Sequence, residues 1–156
     1  MILEIRKFGD PVLRERAEEV GELTPEIKEL IFNMKETLRQ AQGVGLAAPQ
    51  VGVSKRVIVV ETGKETAGFI NPKIISLVRQ REAQEEGCLC MPGLFLKIKR
   101  EIGVEVEAKN EKGETVAIKA DGLLARIFQH EIDHLNGILI IDRITFWQKL
   151  CRLFKI

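Results

Sequence analysis

The segment QHEIDHLNG (129–137) contains the only two histidines of the chain, His130 and His134, with Glu131 beside the first. Residues four apart lie on the same face of an α-helix, so the two imidazoles can bind one metal ion if this segment is helical. An ordinary core or surface histidine pair is the alternative. However, a glutamate on an otherwise apolar stripe costs several kcal/mol to bury unless it has a partner. We therefore interpret the segment as a metal-binding helix.

Two imidazoles require a third ligand, because catalytic zinc-type sites usually have three protein ligands and an open position. Beyond His134 the chain has no histidine and no glutamate, and its sole carboxylate, Asp142, lies in the apolar segment ILIIDRI. Thiolates are the remaining soft ligands. We interpret Cys151 as a small apolar residue packed in a C-terminal helix, which leaves Cys88 and Cys90 in EEGCLCMPG. Alternate residues of an extended segment point the same way, so spacing does not choose between these thiols.

The composition restricts the class of protein. A length of 156 residues with 45% hydrophobic and 30% charged residues predicts one globular domain over 1–156. A net charge of +1 gives no reason to expect a nucleic-acid partner. No apolar run reaches the roughly 18 residues of a membrane span, and no signal peptide is visible, so we expect a cytoplasmic protein without a membrane partner. Three cysteines in such a chain suit metal binding or catalysis better than a disulfide framework.

Periodicity and turn residues predict an α+β fold. The clearest element is a helix that begins at Thr24-Pro25, keeps a 3.6-residue apolar period and ends at Gly43. The other predicted elements are a short helix from Asp10, strands at 55–61 and 68–77 (the second broken at Asn71-Pro72), a hairpin over 100–120, the histidine helix over 121–137 with Asp121 as cap and Asn136-Gly137 as stop, a strand at 138–144, and a helix from Thr145.

Three segments resemble the motifs of bacterial peptide deformylases: GVGLAAPQ (43–50), EGCLC (86–90) and QHEIDHL (129–135). They occur in the family's order and at about its separations. The resemblance implies antiparallel or mixed β-sheets packed around a central helix that carries the HExxH motif. It also implies a hydrolase that removes the formyl group from the N-terminal formylmethionine of nascent polypeptides and releases formate.

The resemblance further implies a metal and a set of site residues. The cofactor would be one divalent ion, ferrous iron in the cell, with zinc, nickel or cobalt as alternatives in purified protein. A metal-bound water would attack the formyl carbon. The implied residues are the metal ligands Cys88, His130 and His134, the general base and acid Glu131, the oxyanion donors Gln50 and the Leu89 N–H, and Gly45, which would pair with the substrate backbone. One departure is Cys90, where the family usually has serine.

These residue types suit hydrolysis of a formamide. A bound divalent cation lowers the pKa of water to about 7, and a fixed oxyanion donor contributes roughly 10²–10³ in rate. The small residues of GVGLAA allow close approach of a peptide backbone. We also expect Ile127 and Leu89 to line an apolar pocket for the methionine side chain.

Three rival interpretations use the same residues. A dinucleotide-binding loop at GVGLAA would need a strand before it and a helix after it, whereas a helix precedes it and Pro49 follows. A structural zinc module of two cysteines and the two histidines has too tight a Cys-x-Cys spacing and leaves Glu131 without a role. A general metallopeptidase lacks its usual third ligand here and differs from a deformylase in cleaving internal peptide bonds.

The last segment, FWQKLCRLFKI, has an apolar stripe and three cations, Lys149, Arg152 and Lys155. We expect it to form a helix packed on the domain. The alternative is a transient contact with the ribosome or a membrane surface, because nascent chains emerge there.

Overall fold

The fold is one five-stranded sheet with helices on both of its faces. The computed structural model describes residues 1–154. The strands, which pair in chain order and antiparallel, are β1 (Gly45–Ala47), β2 (Val57–Glu61), β3 (Thr66–Cys88), β4 (Met91–Lys109) and β5 (Thr115–Asp121). The helices are α1 (Pro25–Ala41), α2 (Gly122–Leu135) and α3 (Phe146–Phe154), with 3-10 turns at Pro11–Arg14, Ala48–Val51 and Ile140–Asp142. The predicted α+β class is confirmed.

The helix α1 begins where its capping residues predict. The Thr24 hydroxyl accepts a hydrogen bond from the Ile27 N–H at 3.4 Å, and Pro25 occupies the first turn, where its missing N–H costs nothing. The helix ends at Gln42, which has a left-handed backbone conformation (φ 54°). The predicted apolar stripe packs on the sheet, with Ile31, Met34 and Leu38 almost fully buried, so the prediction for this helix is confirmed.

The strand β2 lies between two helices. Successive side chains of a strand point to opposite faces. Ile58 and Val60 join the core cluster of α2, while Val57 and Val59 join the cluster of α1. Burial on both faces explains why VIVV (57–60) is a continuous apolar run rather than an alternating one.

The helix α2 packs against β1, β2, β4 and β5 and is buried along most of its length. Its predicted end is confirmed, because Asn136 is the C-cap and Gly137 adopts φ 71°. Asp121 is the N-cap residue, as predicted, but its side chain makes no capping hydrogen bond, and the chain enters the helix through Gly122 at φ 55°.

The predicted break of the second strand at Asn71-Pro72 is wrong, because β3 continues through it. The pairing with β4 shifts register between Ile70 and Lys73, which accommodates a proline that cannot donate to the ladder. Asn71 adopts φ 51°, and its side-chain amide both accepts from and donates to the Val20 backbone at 2.8 Å. The bulge is therefore stabilised by a neighbouring loop, and the strand extends to Cys88, with Cys90 in the turn that follows.

The predicted strand at 138–144 is also wrong. Ile140–Asp142 form a 3-10 turn, with the Leu139 N–H bonded to the Asp142 carboxylate at 2.8 Å. Leu139 and Ile140 are buried in a cluster with Leu13. The apolar run therefore reflects core packing, since its backbone groups are satisfied locally rather than by a neighbouring strand.

The helix α3 begins at its predicted cap, but its apolar residues do not enter the core, and it contacts the domain through the hydrogen bond from the Gln148 side chain to the Lys97 carbonyl at 3.0 Å. The Gln148 N–H donates to the Thr145 hydroxyl at 3.2 Å. None of its residues is buried, and Cys151 is exposed, so the prediction of a packed apolar cysteine is wrong. Lys155 and Ile156 lie outside the described residues. None of the helices within 1–154 has the length and apolarity of a membrane span.

Candidate metal centre

Three potential metal ligands converge at the inner end of a cleft. Sγ of Cys88, and one ring nitrogen each of His130 and His134, all lie within 4.8 Å of one another. His134 Nε2 is 3.3 Å from the Cys88 sulfur and 3.2 Å from His130 Nε2. Among the described residues, these three form the group of histidine, cysteine or acidic side chains that could together hold a metal ion.

The donor set and its spacing fit a tetrahedral divalent cation. Zinc–ligand bonds of normal length place two nitrogens about 3.4 Å apart and a nitrogen and a sulfur about 3.6 Å apart. The observed separations are slightly shorter and need only small movements to match. Two imidazoles and one thiolate suit ferrous iron or zinc and leave one coordination position open.

The turn between β3 and β4 separates the roles of the two thiols. Cys88 pairs with Met91 across the hairpin, so Leu89 and Cys90 form the turn itself. Hydrogen bonding from Cys90, with that of His130 and His134, lowers the pKa of Cys88 to about 2 against the opposing effect of burial. Hydrogen bonding to Cys88 and burial raise the pKa of Cys90. These opposite shifts favour the thiolate form at Cys88, beside the histidines, and the protonated thiol at Cys90.

Glu131 lies beside these three candidate ligands and has a free carboxylate oxygen. Its Oε2 is buried and has no hydrogen-bond partner among the described residues. Burial raises the pKa of Glu131, although the positive charges of His130 and His134 oppose the effect. A buried, unpaired carboxylate is costly, so its position favours a role in chemistry over a role in stability.

The ring orientation of His130 is fixed by Glu86. His130 Nδ1 is 3.0 Å from Glu86 Oε1. Burial opposes ionisation of Glu86, but hydrogen bonds from His130 and Arg100 outweigh it and lower its pKa to about 2. A carboxylate can only accept, so Nδ1 carries a proton and Nε2 is the atom left to bind a metal ion. Burial lowers the pKa of the imidazole, yet hydrogen bonds to Cys88 and Glu86 raise the pKa of His130 to about 10, so metal binding would have to displace the Nε2 proton.

A buried ion-pair network, which the sequence patterns did not reveal, extends from Glu86 into α2. Arg100 donates twice to Glu86 at 3.0 Å and once to Asp133 at 2.6 Å. Arg126 donates to Glu86 at 2.5 Å, and Arg143 donates to Asp133 at 2.5 and 2.9 Å. The signal was present: Asp133 and Arg126 interrupt the apolar surface of α2, as Glu131 does, and buried charges need partners.

The remaining predicted residues lie around the same cleft, whose volume is about 630 Å³. Gly45, Gln50, Leu89 and Ile127 all line it, together with Cys88, His130 and Glu131. His134 lies behind this surface and is 2% exposed. The structure therefore brings all eight predicted site residues to one place.

The free edge of β1 borders the cleft. β1 pairs only with β2 in the described sheet, so the opposite side of Gly45 is an unpaired strand edge. A Cβ atom on Gly45 would lie 2.5 Å from Glu131 Oε1 and 2.9 Å from its Cδ. Glycine is therefore required here to leave room for the Glu131 carboxylate, a reason that the sequence did not show.

The ligand assignment predicts different effects for the two thiols. Cys88→Ser should weaken metal binding by at least about 100-fold, because loss of a ligand exceeds the 10–100-fold effect typical of its outer partners. Cys90→Ser should keep the metal, because Cys90 lies in the turn rather than among the ligands. Competition with a chromogenic chelator measures both affinities. Tight binding in Cys88→Ser and loss in Cys90→Ser would reverse the assignment.

Comparison with known proteins gives consistent matches. The polypeptide deformylase family model matches residues 2–149. A peptide deformylase of Halothermothrix orenii is 55% identical over 146 residues, which cover 92% of this chain and 94% of that protein. The crystal structure of peptide deformylase from Thermotoga maritima matches with a TM-score of 0.90 at 47% identity, covering 93% of this chain and 99% of that one.

A crystal structure of a peptide deformylase from Synechococcus elongatus in complex with actinonin matches with a TM-score of 0.91 at 42% identity, covering 98% of this chain and 84% of that one. The family implies a divalent metal ion, and the Cys88, His130 and His134 group is suited to hold one. The chain therefore belongs to the peptide deformylase family and is a metallohydrolase that acts on a linear amide.

Proposed function

We propose that this site hydrolyses the N-terminal formamide of formylmethionyl peptides, with Cys88, His130 and His134 as the metal ligands. The observation that carries the proposal is the position of Glu131, whose unpartnered carboxylate lies beside the three donors and lines the cleft. A structural metal site would leave this buried carboxylate without a role. The family match over 2–149 also supports treating 1–156 as one deformylase domain.

Glu131 transfers the protons of the reaction. A divalent cation held by these residues would act as a Lewis acid and would lower the pKa of a bound water molecule to about 7. Glu131 accepts a proton from the attacking water and delivers it to the leaving amine. Burial, which raises the pKa of this carboxyl, favours the protonated form that the second transfer needs.

Two N–H donors stabilise the negative charge that develops on the former formyl oxygen. Gln50 is 1% exposed, and its Oε1 accepts from the Ala47 N–H at 2.7 Å. The amide nitrogen therefore lies on the opposite side of the side chain, 3.7 Å from Sγ of the candidate ligand Cys88, and Gln50 lines the cleft. We assign the second donor to the Leu89 N–H in the neighbouring turn. Donors held in place before the reaction need no reorganisation when charge develops.

The substrate backbone pairs with the free edge of β1 at Gly45. Such strand addition supplies main-chain hydrogen bonds without selecting a side chain. The methionine side chain lies against Ile127 and Leu89, which line the cleft. The ligands and Glu131 enclose the reacting group, so an acyl group larger than formyl is excluded.

Gly45→Ala should lower kcat about 100-fold while the metal stays bound, because the new methyl displaces the Glu131 carboxylate. Gly21→Ala is a matched control, since a Cβ atom there meets nothing within 4 Å. Steady-state kinetics and metal content are the measurements. Equal activity of the two variants would show that the Gly45–Glu131 contact does not constrain the reaction.

We propose ferrous iron as the native metal, since a thiolate and two imidazoles suit it and an open position admits substrate. Iron at such a site reacts with oxygen, and the ligand thiolate can then be oxidised. Iron-loaded protein should therefore lose activity in air faster than nickel-loaded protein. Equal survival of the two forms would count against a redox-sensitive iron enzyme.

We further propose that the enzyme acts in the cytoplasm on nascent chains and that α3 contacts the ribosome. Phe146, Trp147, Leu153 and Phe154 are all more than 60% exposed, and the cations Lys149 and Arg152 lie on the same helix. Removal of the segment after Thr145 should abolish co-sedimentation with ribosomes and leave hydrolysis of short peptides intact. Unchanged co-sedimentation would rule out this surface.

The direct test of the proposed activity is formate release from formyl-Met-Ala-Ser by anaerobically purified protein. Acetyl-Met-Ala-Ser, which differs at the acyl group, and an internal-peptide-bond substrate are the controls. We expect formate from the first peptide and negligible hydrolysis of the other two. Cleavage of internal bonds without formate release would indicate a metallopeptidase instead.

A further inference from the structure

The Cys90 thiol contacts Gln50 as well as the candidate metal ligand Cys88. Gln50 Nε2 donates to Cys90 Sγ at 3.3 Å and lies further from Cys88 Sγ, at 3.7 Å. Both partners are 1% exposed, so water does not compete for this hydrogen bond. The shorter distance identifies Cys90 as the principal acceptor for the amide.

Cys90 is itself held firmly. It occupies the turn between β3 and β4, and its carbonyl accepts from the Phe8 N–H at 2.9 Å. Its side chain belongs to the core cluster that contains Leu13 and Ile140. The sulfur is thus a fixed acceptor on the rigid hairpin that also carries Cys88.

The Gln50 side chain is then held at both ends. Its Oε1 accepts from the Ala47 N–H, and its Nε2 donates to Cys90 and, over a longer distance, to Cys88. An amide nitrogen carries two hydrogens in one plane, so the Ala47 and Cys90 contacts direct the second Nε2–H to the side of Cys88, where the candidate ligands lie. Without the Cys90 sulfur, rotation about the last side-chain bond would be restrained only by Ala47 and the longer Cys88 contact.

We propose that Cys90 is a positioning residue for the deformylation reaction: its buried sulfur holds the Gln50 amide so that the second N–H meets the developing oxyanion. This inference rests on the proposed function and assigns a role to a side chain that neither binds the metal nor touches the substrate. A misplaced donor loses most of its effect, since rates fall steeply with displacements of about 1 Å.

The test is a double-mutant cycle on metal-loaded protein. Cys90→Ala should lower kcat about tenfold with KM and metal content unchanged, and Cys90→Ser, whose hydroxyl can accept the same hydrogen bond, should restore most of kcat. Gln50→Ala should lower kcat by roughly 10²–10³. In the Gln50→Ala background, Cys90→Ala should cause no further loss, because its effect acts through Gln50. Thermal unfolding checks that each variant is folded.

A second readout does not depend on activity. In zinc-loaded protein, the two side-chain N–H resonances of Gln50 should be well separated, and Cys90→Ala should bring them closer, whereas Cys90→Ser should not. A Cys90→Ala enzyme with parental kcat, or equal losses with and without Gln50, would overturn the positioning role. If the parent released no formate, the proposed function would fail, and unchanged Gln50 resonances in Cys90→Ala would overturn the contact separately.

Discussion

Glu131→Gln should lower formate release by roughly 10²–10⁴ while one metal ion per chain remains bound. Glutamine has nearly the same shape but cannot accept the proton of the attacking water. Glu131 is not among the three ligand donors, and its Oε2 has no partner among the described residues, so metal binding does not depend on it. In this variant, activity should therefore fall while the metal content stays unchanged.

The control for the lost charge is Glu29→Gln, at an exposed position on α1. It should retain parental activity and metal content. Parental activity in Glu131→Gln would show that Glu131 is not the general base. Loss of the metal in the same variant would show that Glu131 stabilises the bound ion instead.

Arg100→Met should destabilise the protein by about 3–5 kcal/mol, the cost typical of breaking a buried ion pair. Arg100 is 3% exposed and is shared by Glu86 and Asp133. Methionine fills much of the same volume but leaves two buried carboxylates with fewer partners. Urea unfolding of metal-free protein measures the effect on folding without the contribution of the ion.

The same substitution should weaken metal binding by about 10–100-fold, because Glu86 orients His130, which we propose as a ligand. Arg81→Met is the matched control. Arg81 is on β3 and pairs with Glu101 at 3.4 Å, but it is half-exposed, so its loss should cost about 0–1 kcal/mol. Equal destabilisation by the two variants would show that the buried ion pairs of Arg100 stabilise the fold no more than the half-exposed pair of Arg81.

The elements that the sequence predicted well are those with strong local signals. Thr24-Pro25 and an unbroken apolar period determine α1 without help from distant residues. The pair His130 and His134 required a helix, and α2 provides it. The predicted alternation of Val116 and Ile118 on β5 is matched by their partial burial between the exposed residues Thr115, Ala117 and Lys119.

The elements that it predicted poorly depend on packing between distant segments. The run at 138–144 is apolar because Leu139 and Ile140 fill a core cluster, not because a strand pairs with them. Asn71 continues β3 through a proline because the Val20 backbone satisfies its amide. A local sequence pattern does not identify packing or hydrogen-bonding partners that are distant along the chain.

In the candidate site, too, some features have a local sequence signal and others depend on packing between distant segments. The three motifs were visible, but two alternate cysteines on an extended segment are equivalent until the turn is known. The hairpin pairing of Cys88 with Met91 removes the equivalence, since it places Cys90 in the turn. The network around Glu86 was missed because Arg100 belongs to a strand whose burial depends on α2.

The most direct test of the central claim is anaerobic titration of metal-free protein with ferrous iron, followed by formate release from a formyl-Met peptide. We predict that activity rises linearly and levels off at one ion per chain, and that Cys88→Ala fails to respond at the same concentrations. Full activity of metal-free protein, or an inactive parent at full iron occupancy, would contradict a deformylase centre built on Cys88, His130 and His134.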